Sequence, residues 1–170
     1  TRYQEPWAFD KQTLNIYRKY LNLRYRLIPF LYDQFRHETQ AGLPVMRPLV
    51  LNCDHDPQAR SINDEYMVGT SILVAPVVTP QTTKRLVYLP AGEWIDFWNH
   101  ASYAGRQTIV VDAPIDKLPL FIKANTILPW GCKTMHVSDK PDQIMTFRVY
   151  GECGSYMHYQ DNGLDFAYQD

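Results

Sequence analysis

Between residues 10 and 41, apolar side chains recur in alternating three- and four-residue steps, at Leu14, Tyr17, Leu21, Tyr25, Ile28, Tyr32 and Phe35. That spacing predicts one face of a long α-helix. A second row, Ile16, Tyr20, Leu23, Leu27 and Phe30, makes the helix apolar on two sides, so it requires cover on both. Asp10 is placed to cap its first turn, Pro29 to kink it and Gly42 to end it in a left-handed residue. Residues 45–51 are short, apolar and Pro-broken. They read as a strand buried on both faces, and helix followed by buried strand predicts an α/β layer. With one such unit and no initiator Met, the chain is expected to be a piece of something larger. The orphaned apolar face of helix 10–41 is expected to hide by self-association or by folding back on the sheet.

After a polar loop, Asp56-Pro57 predicts the start of a short helix, and residues 63–68 a turn that stops at Gly69. From residue 70 the period shortens. Apolar or alternating runs at 71–78, 84–89, 93–98, 106–111, 119–122 and 126–130 are separated by Pro-, Gly- and Asn-containing turns. Short strands with such punctuation predict an all-β sandwich or barrel-like sheet, and a domain boundary near residue 70. A weaker boundary falls at 131–142, where the chain turns polar. Beyond it, 144–150 alternates, while 156–159 and 164–168 read as paired strands around an Asp161-Asn162-Gly163 hairpin turn.

Composition narrows the function classes. The net charge is −1 with no run of like charges, so the electrostatic footprint of a nucleic-acid binder is missing. No apolar run is long enough to cross a bilayer and nothing at the start reads as a signal peptide. Three Cys, Cys53, Cys132 and Cys153, are an odd number at unrelated spacings, which predicts reduced thiols in a cytoplasmic protein rather than a disulfide framework. The aromatic content of 14% suits sugar stacking, but large cores and interfaces use aromatics too, and composition alone favours the latter.

The candidate chemistry is thin. Cys53-Asp54-His55-Asp56 is the one dense cluster of metal-capable side chains, and without a partner pair at zinc-like spacing it reads as a solvated turn. No metal and no cofactor is expected. Asp33, Asp96, Asp112 and Asp116 are acid–base candidates by residue type only, with Asp33 and Glu38 on the polar side of the helix, and nothing selects a pair. Arg47 differs, because it interrupts a segment predicted to be buried and so needs a carboxylate or carbonyl partner. It either points into a polar cleft at a strand end or forms a structural ion pair, and the structural role is favoured.

Several longer motifs share an order with a known family. Glu5-Pro6-Trp7, the run from Tyr20 through Pro29, and Gly42-Leu43-Pro44-Val45-Met46-Arg47-Pro48-Leu49 resemble the end of the catalytic barrel in family 31 of the glycoside hydrolases. The resemblance continues through Gly69-Thr70-Ser71-Ile72-Leu73-Val74-Ala75-Pro76-Val77, the run from Tyr88 through Trp98, and Ala124-Asn125-Thr126-Ile127-Leu128-Pro129. It covers about residues 2 to 131. Residues 143–168 are only loosely similar to the family's distal β domain, where a Tyr-x-Asp-Asp-Gly turn would sit at 159–163.

The resemblance implies an α+β chain. The terminal helix–strand–helix of a (β/α)8 barrel (1–69) would be followed by a proximal β-sandwich (70–131) and the start of a distal β domain (132–170). It implies a retaining α-glycosidase of α-glucosidase or α-xylosidase type, acting on an α-linked oligosaccharide through an aspartate nucleophile and a second aspartate as acid/base. In the family both aspartates precede the Glu-Pro-Trp segment, so no catalytic residue is carried over and the chain alone is expected to be inactive. Glu5, Trp7 and Arg47 are left with a supporting or structural role. Trp94 and Trp98 share a strand parity, so they are expected on one face, in packing before sugar stacking. The alternative is a non-catalytic carbohydrate-binding or structural β-sandwich module, which an exposed strip of Trp94, Trp98 and nearby tyrosines would favour.

Overall fold

Asp10 opens the first helix: its side-chain oxygen accepts the Thr13 N–H at 2.6 Å, and α1 runs Lys11–Arg26. The computed structural model describes residues 3–134, 136 and 145–161. The expected single kinked helix is two helices, because Leu27 separates α1 from α2 (Ile28–Ala41). Pro29 is the cause: in the first turn of α2 it has no N–H to give the preceding turn, and its ring crowds that turn. At the break the Arg26 carbonyl accepts the Gly131 N–H at 2.8 Å. A Cβ on Gly131 would meet the Pro29 ring at 3.3 Å, so the close approach suits glycine. Gly42 ends α2 at φ +69, with its N–H on the Glu38 carbonyl.

The two apolar rows part company. Leu23, Leu27 and Phe30 pack with Ile72, Ile95, Ile122 and Leu128, whereas Tyr17, Leu21, Tyr32 and Phe35 stay exposed. One side of the helix pair thus folds back on the sheet, as expected, and the other keeps its apolar side chains at the surface.

Residues 45–51 do not form a strand of a parallel layer. They give β1 (Met46–Pro48) and, directly after it, the short helix α3 (Leu49–Asn52). β1 runs antiparallel to β2 (Tyr66–Val68), which occupies the stretch expected to be a turn, and β2 to β3 (Ile72–Val74). The ladder therefore passes straight across residue 70, where the change of period suggested a boundary. The helix expected at Asp56-Pro57 is a pair of turns: Asp56 accepts from Gln58 N–H as a cap would, but Arg60 is held back on the Asp54 carbonyl.

The later strands follow the alternation, except the one at residues 102–104, which falls in a stretch expected to be a turn. They are β4 (Lys84–Leu89), β5 (Glu93–Asp96), β6 (Ser102–Ala104), β7 (Gln107–Asp112), β8 (Leu120–Lys123), β9 (Thr126–Trp130) and β10 (Thr146–Tyr150). An antiparallel six-stranded sheet has the order β1-β2-β3-β8-β5-β6, while β4–β7 and β9–β10 are two-stranded ladders. Residues 156–159 carry no strand, and the hairpin expected beyond them lies, from residue 162 on, outside the described residues.

Strand parity explains why the central sheet is apolar on both faces. Met67, Leu73, Trp94 and Phe121 point toward the β4–β7 ribbon and pack with Val87, Leu89 and Val111. Their neighbours Tyr66, Ile72, Val74, Ile95 and Ile122 point the other way, toward the helices. Trp94 and Trp98 do not share a face. β5 ends at Asp96, whose Oδ1 accepts the Trp98 N–H at 2.7 Å in a turn that resets the parity. Trp94 is buried under the ribbon and Trp98 joins the helix side.

Gly105, at the open end of the β5–β6 hairpin, extends the ladder with its N–H on the Gly92 carbonyl at 2.6 Å. A Cβ there would sit 2.0 Å from the Pro90 carbonyl oxygen, which is backbone and cannot swing aside. Gly105→Ala is expected to cost about 3 kcal/mol through forced displacement of the hairpin, read as a lower urea midpoint.

Candidate functional site

Arg47 shares a sheet face with its cross-strand partner Met67, the face beneath the ribbon, and is 1% exposed. Its Nε donates to the Pro44 carbonyl at 2.5 Å and its Nη1 to Asn52 Oδ1 at 3.3 Å. Asn52 Nδ2 in turn donates to the Gly69 carbonyl at 2.9 Å. The guanidinium thus joins the turn before β1, the end of α3 and the β2–β3 turn. Among the described residues its hydrogen-bond partners are neutral oxygens and not the carboxylate of an ion pair. Its Nη2 is buried with no hydrogen-bond partner.

A groove of about 390 Å³ runs past Arg47, lined also by Met46, Ile62, Asp64, Glu65 and Tyr66. Glu65 is 5% exposed. Its Oε1 accepts the Tyr88 N–H at 2.9 Å and lies 3.8 Å from Arg85 Nη2, while Oε2 has no partner. Burial outweighs both contacts and pushes the Glu65 carboxyl up to about 7. Arg85, on β4, donates to the Pro76 and Asp64 carbonyls and to the Asp64 carboxylate at 3.1 Å. Neither Glu65 nor Arg85 is among the sequence candidates, yet the sequence carries a signal for both. Arg85 has the inward parity of Val87 and Leu89, and Glu65 that of Met67.

Glu5 and Trp7 are not brought to Arg47. Glu5 precedes a single 3-10 turn, Pro6–Ala8, with its Oε2 buried and unpartnered, and the Trp7 ring is 72% exposed.

The acid–base candidates are each committed to a different local partner. Asp33, expected on the polar side of the helix, is 6% exposed. It accepts the Tyr156 hydroxyl at 2.7 Å and the Tyr159 N–H at 2.9 Å, with His158 Nδ1 at 3.0 Å. Burial and this carboxylate raise the Tyr156 phenol above its ordinary range. Asp96 caps its turn and lies 3.6 Å from Lys117 Nζ. Asp112 meets Lys84 across the ribbon at 3.8 Å, and Asp116 meets Lys19 at 3.3 Å. In the 53–56 loop, Asp56 accepts the Tyr88 hydroxyl at 2.5 Å, which lowers the carboxyl, and with burial lifts the phenol to about 12. Burial raises the Cys53 thiol. Among the described residues no group of three or more His, Cys, Asp or Glu converges as metal ligands would, and no disulfide joins the cysteines. No helix among them is long and apolar enough to cross a membrane.

The aromatic strip of a sugar-binding surface does not form from the tryptophans. Trp94 is 2% exposed with its Nε1 on the Pro90 carbonyl. Trp98 donates to the Leu118 carbonyl and has Lys19 Nζ over its ring at 4.7 Å.

Comparison with known proteins adds what the side chains alone do not. The model of the glycosyl hydrolases family 31 TIM-barrel domain matches residues 1–34, and that of the glycosyl hydrolase family 31 C-terminal domain matches residues 42–128. The chain is 37% identical to Alpha-glucosidase 2 of Bacillus thermoamyloliquefaciens, over 99% of its own length and 22% of that protein. It is 32% identical to an alpha-xylosidase of Saccharolobus solfataricus, over 98% of its length and 23% of that protein. A Flavobacterium johnsoniae dextranase solved with isomaltotriose superposes with a TM-score of 0.93 at 38% identity, over 97% of this chain and 21% of that one. The chain thus spans little more than a fifth of the length of these relatives.

Proposed function

Because the chain belongs to glycoside hydrolase family 31, we propose that its residues supply the end of a catalytic (β/α)8 barrel and the adjoining β domain to a retaining α-glycosidase. The observation that carries this reading is the succession of the two domain matches, barrel first and C-terminal domain second, along one chain. The substrate class is an α-linked oligosaccharide, an α-glucoside or a related sugar. The α-glucosidase and α-xylosidase relatives and the isomaltotriose-bound neighbour support that class without choosing the linkage.

In this reading the nucleophile and the acid/base, two aspartates acting through a covalent glycosyl-enzyme, stand outside these residues. The partner commitments of Asp33, Asp96, Asp112 and Asp116 support this, since each is held in a turn, a surface pair or a packing contact. Glu5, Trp7 and Arg47 keep a supporting role. The division drawn at residue 69 moves to the Gly42 turn, a placement supported by the β1–β2 ladder and by the limits of the two matches. Residues from 132 onward open a further β domain. The exposed row of Tyr17, Leu21, Tyr32 and Phe35 faces the rest of the barrel, and in the isolated chain would drive self-association. The setting is cytoplasmic, in keeping with the reduced thiols.

The test is hydrolysis of p-nitrophenyl α-glucoside and α-xyloside. The 170-residue chain alone should give no turnover. Joined to the preceding part of a family barrel, which it would complete, it should support hydrolysis with retention of configuration, followed by NMR of the first anomer released. Turnover by the purified chain alone would overturn the proposal.

A further inference from the structure

Glu65 stands where the layers of the β domain meet. It immediately precedes β2 with the parity of Met67, holds the Tyr88 N–H of β4, and borders the groove beside β1. Among the described residues one carboxylate oxygen has a single backbone donor and the other has none. The nearest cation does little for it: Arg85 Nη2, at 3.8 Å, already serves the Asp64 carbonyl and carboxylate, and Nη1 serves the Pro76 carbonyl. We propose that Glu65 is a pH-sensitive latch between the β4–β7 ribbon and the six-stranded sheet, closed when its carboxyl is neutral and loosened when it ionises.

The geometry supplies both states. A neutral carboxyl keeps Oε1 as acceptor for Tyr88 and gains an O–H that can turn toward the groove. An ionised one is a buried anion with one acceptor site unfilled, and the groove is the path by which water reaches it. The groups facing it are few. From its own segment comes the Asp64 carboxylate, which disfavours a second negative charge. From β4 come Arg85 and Tyr88, whose phenol is tied to Asp56 of the preceding loop. From β1, Arg47 occupies the diagonal cross-strand position and lines the same groove. The 76–78 segment brings only Pro76 and Val78.

The direction follows from proton binding. The folded carboxyl titrates at about 7 against an ordinary 4.5, so the folded state holds the proton more tightly than the opened one. The latch is fully effective below the lower value, weakens as pH rises between the two, and changes no further above about 7.

Hydrogen exchange of the β4 and β7 amides in the full chain, corrected for the intrinsic pH dependence, reads this opening. The opening constant is expected to rise about tenfold per pH unit between about 5 and 7 and then level off. In Glu65→Gln, which keeps the acceptor for Tyr88 and cannot ionise, the profile should be flat. Carbon-detected titration of the Glu65 carboxyl in the unsubstituted protein decides the matter even if the variant does not fold. A midpoint near 7 supports the latch. A midpoint in the ordinary carboxylate range, or equal pH dependence in both proteins, would overturn it.

Discussion

Arg47→Ala is expected to lower the unfolding free energy by about 3–5 kcal/mol. The side chain is among the largest with essentially no exposure, so truncation leaves a cavity beneath the ribbon. It also strips a donor from the Pro44 carbonyl and from Asn52, whose own amide holds the β2–β3 turn through Gly69. Arg47→Met separates the two losses, because it refills most of the volume without restoring the hydrogen bonds. It should recover part of the stability, and Arg47→Lys no more than that, since one ammonium cannot reproduce a planar fork aimed at two acceptors. Urea unfolding of the four proteins ranks them. A loss under about 1 kcal/mol for Arg47→Ala would mean that the guanidinium is a passenger.

Asp33→Ala is expected to release residues 156–159 from α2. One carboxylate gathers the Tyr156 hydroxyl, the His158 ring and the Tyr159 N–H, and its removal leaves these donors without their acceptor. Each orphaned donor costs about 1–3 kcal/mol where it stays buried, and local release avoids part of that, so a net loss of about 3 kcal/mol is expected. The diagnostic change is local: protease cleavage and amide exchange should rise at 156–159 while β3, β5 and β8 stay protected. Asp33→Asn should fall between, keeping an acceptor oxygen but losing the charge that holds the His158 ring. Uniform loss of protection across the central sheet would show that this contact is not a local tether.

The features legible in the sequence were those decided by near neighbours. Asp10, Gly42 and the two helical rows obey rules that span a turn or two, and most strands from β4 onward are long enough, or well enough bounded by turns, to announce themselves, whereas the three residues of β6 read as part of a turn and become a strand only by pairing with β5. β1 and β2 are three-residue strands whose identity comes from each other across the chain, so their own sequence reads equally well as a buried run and a turn. Pro29 marks a defect in the helical pattern, but the strand end that packs on the break, with Gly131 against the Pro29 ring and its N–H on the Arg26 carbonyl, lies a hundred residues on. Asp33 looked solvated because its partners come from the far end of the described chain. Trp98 was misplaced for a local reason, the Asp96 turn that ends the alternation two residues early. Arg47 was read as buried and partnered, and only the nature of its partners differed.

The family and the absence of an obvious acid pair were readable together because long motifs survive in order. Arg85 and Glu65 are legible only by parity, because residue type alone places a charged side chain at the surface.

If, as proposed, these residues brace a reaction centre that they do not contain, the nucleophile lies elsewhere in the protein. A mechanism-based glycosyl fluoride that traps the covalent intermediate, applied to the protein carrying this chain and followed by peptide mass spectrometry, tests it directly. The account predicts no labelled peptide anywhere within residues 1–170. Stoichiometric sugar on Asp33, Asp96, Asp112, Asp116 or any other carboxylate of this stretch would contradict it.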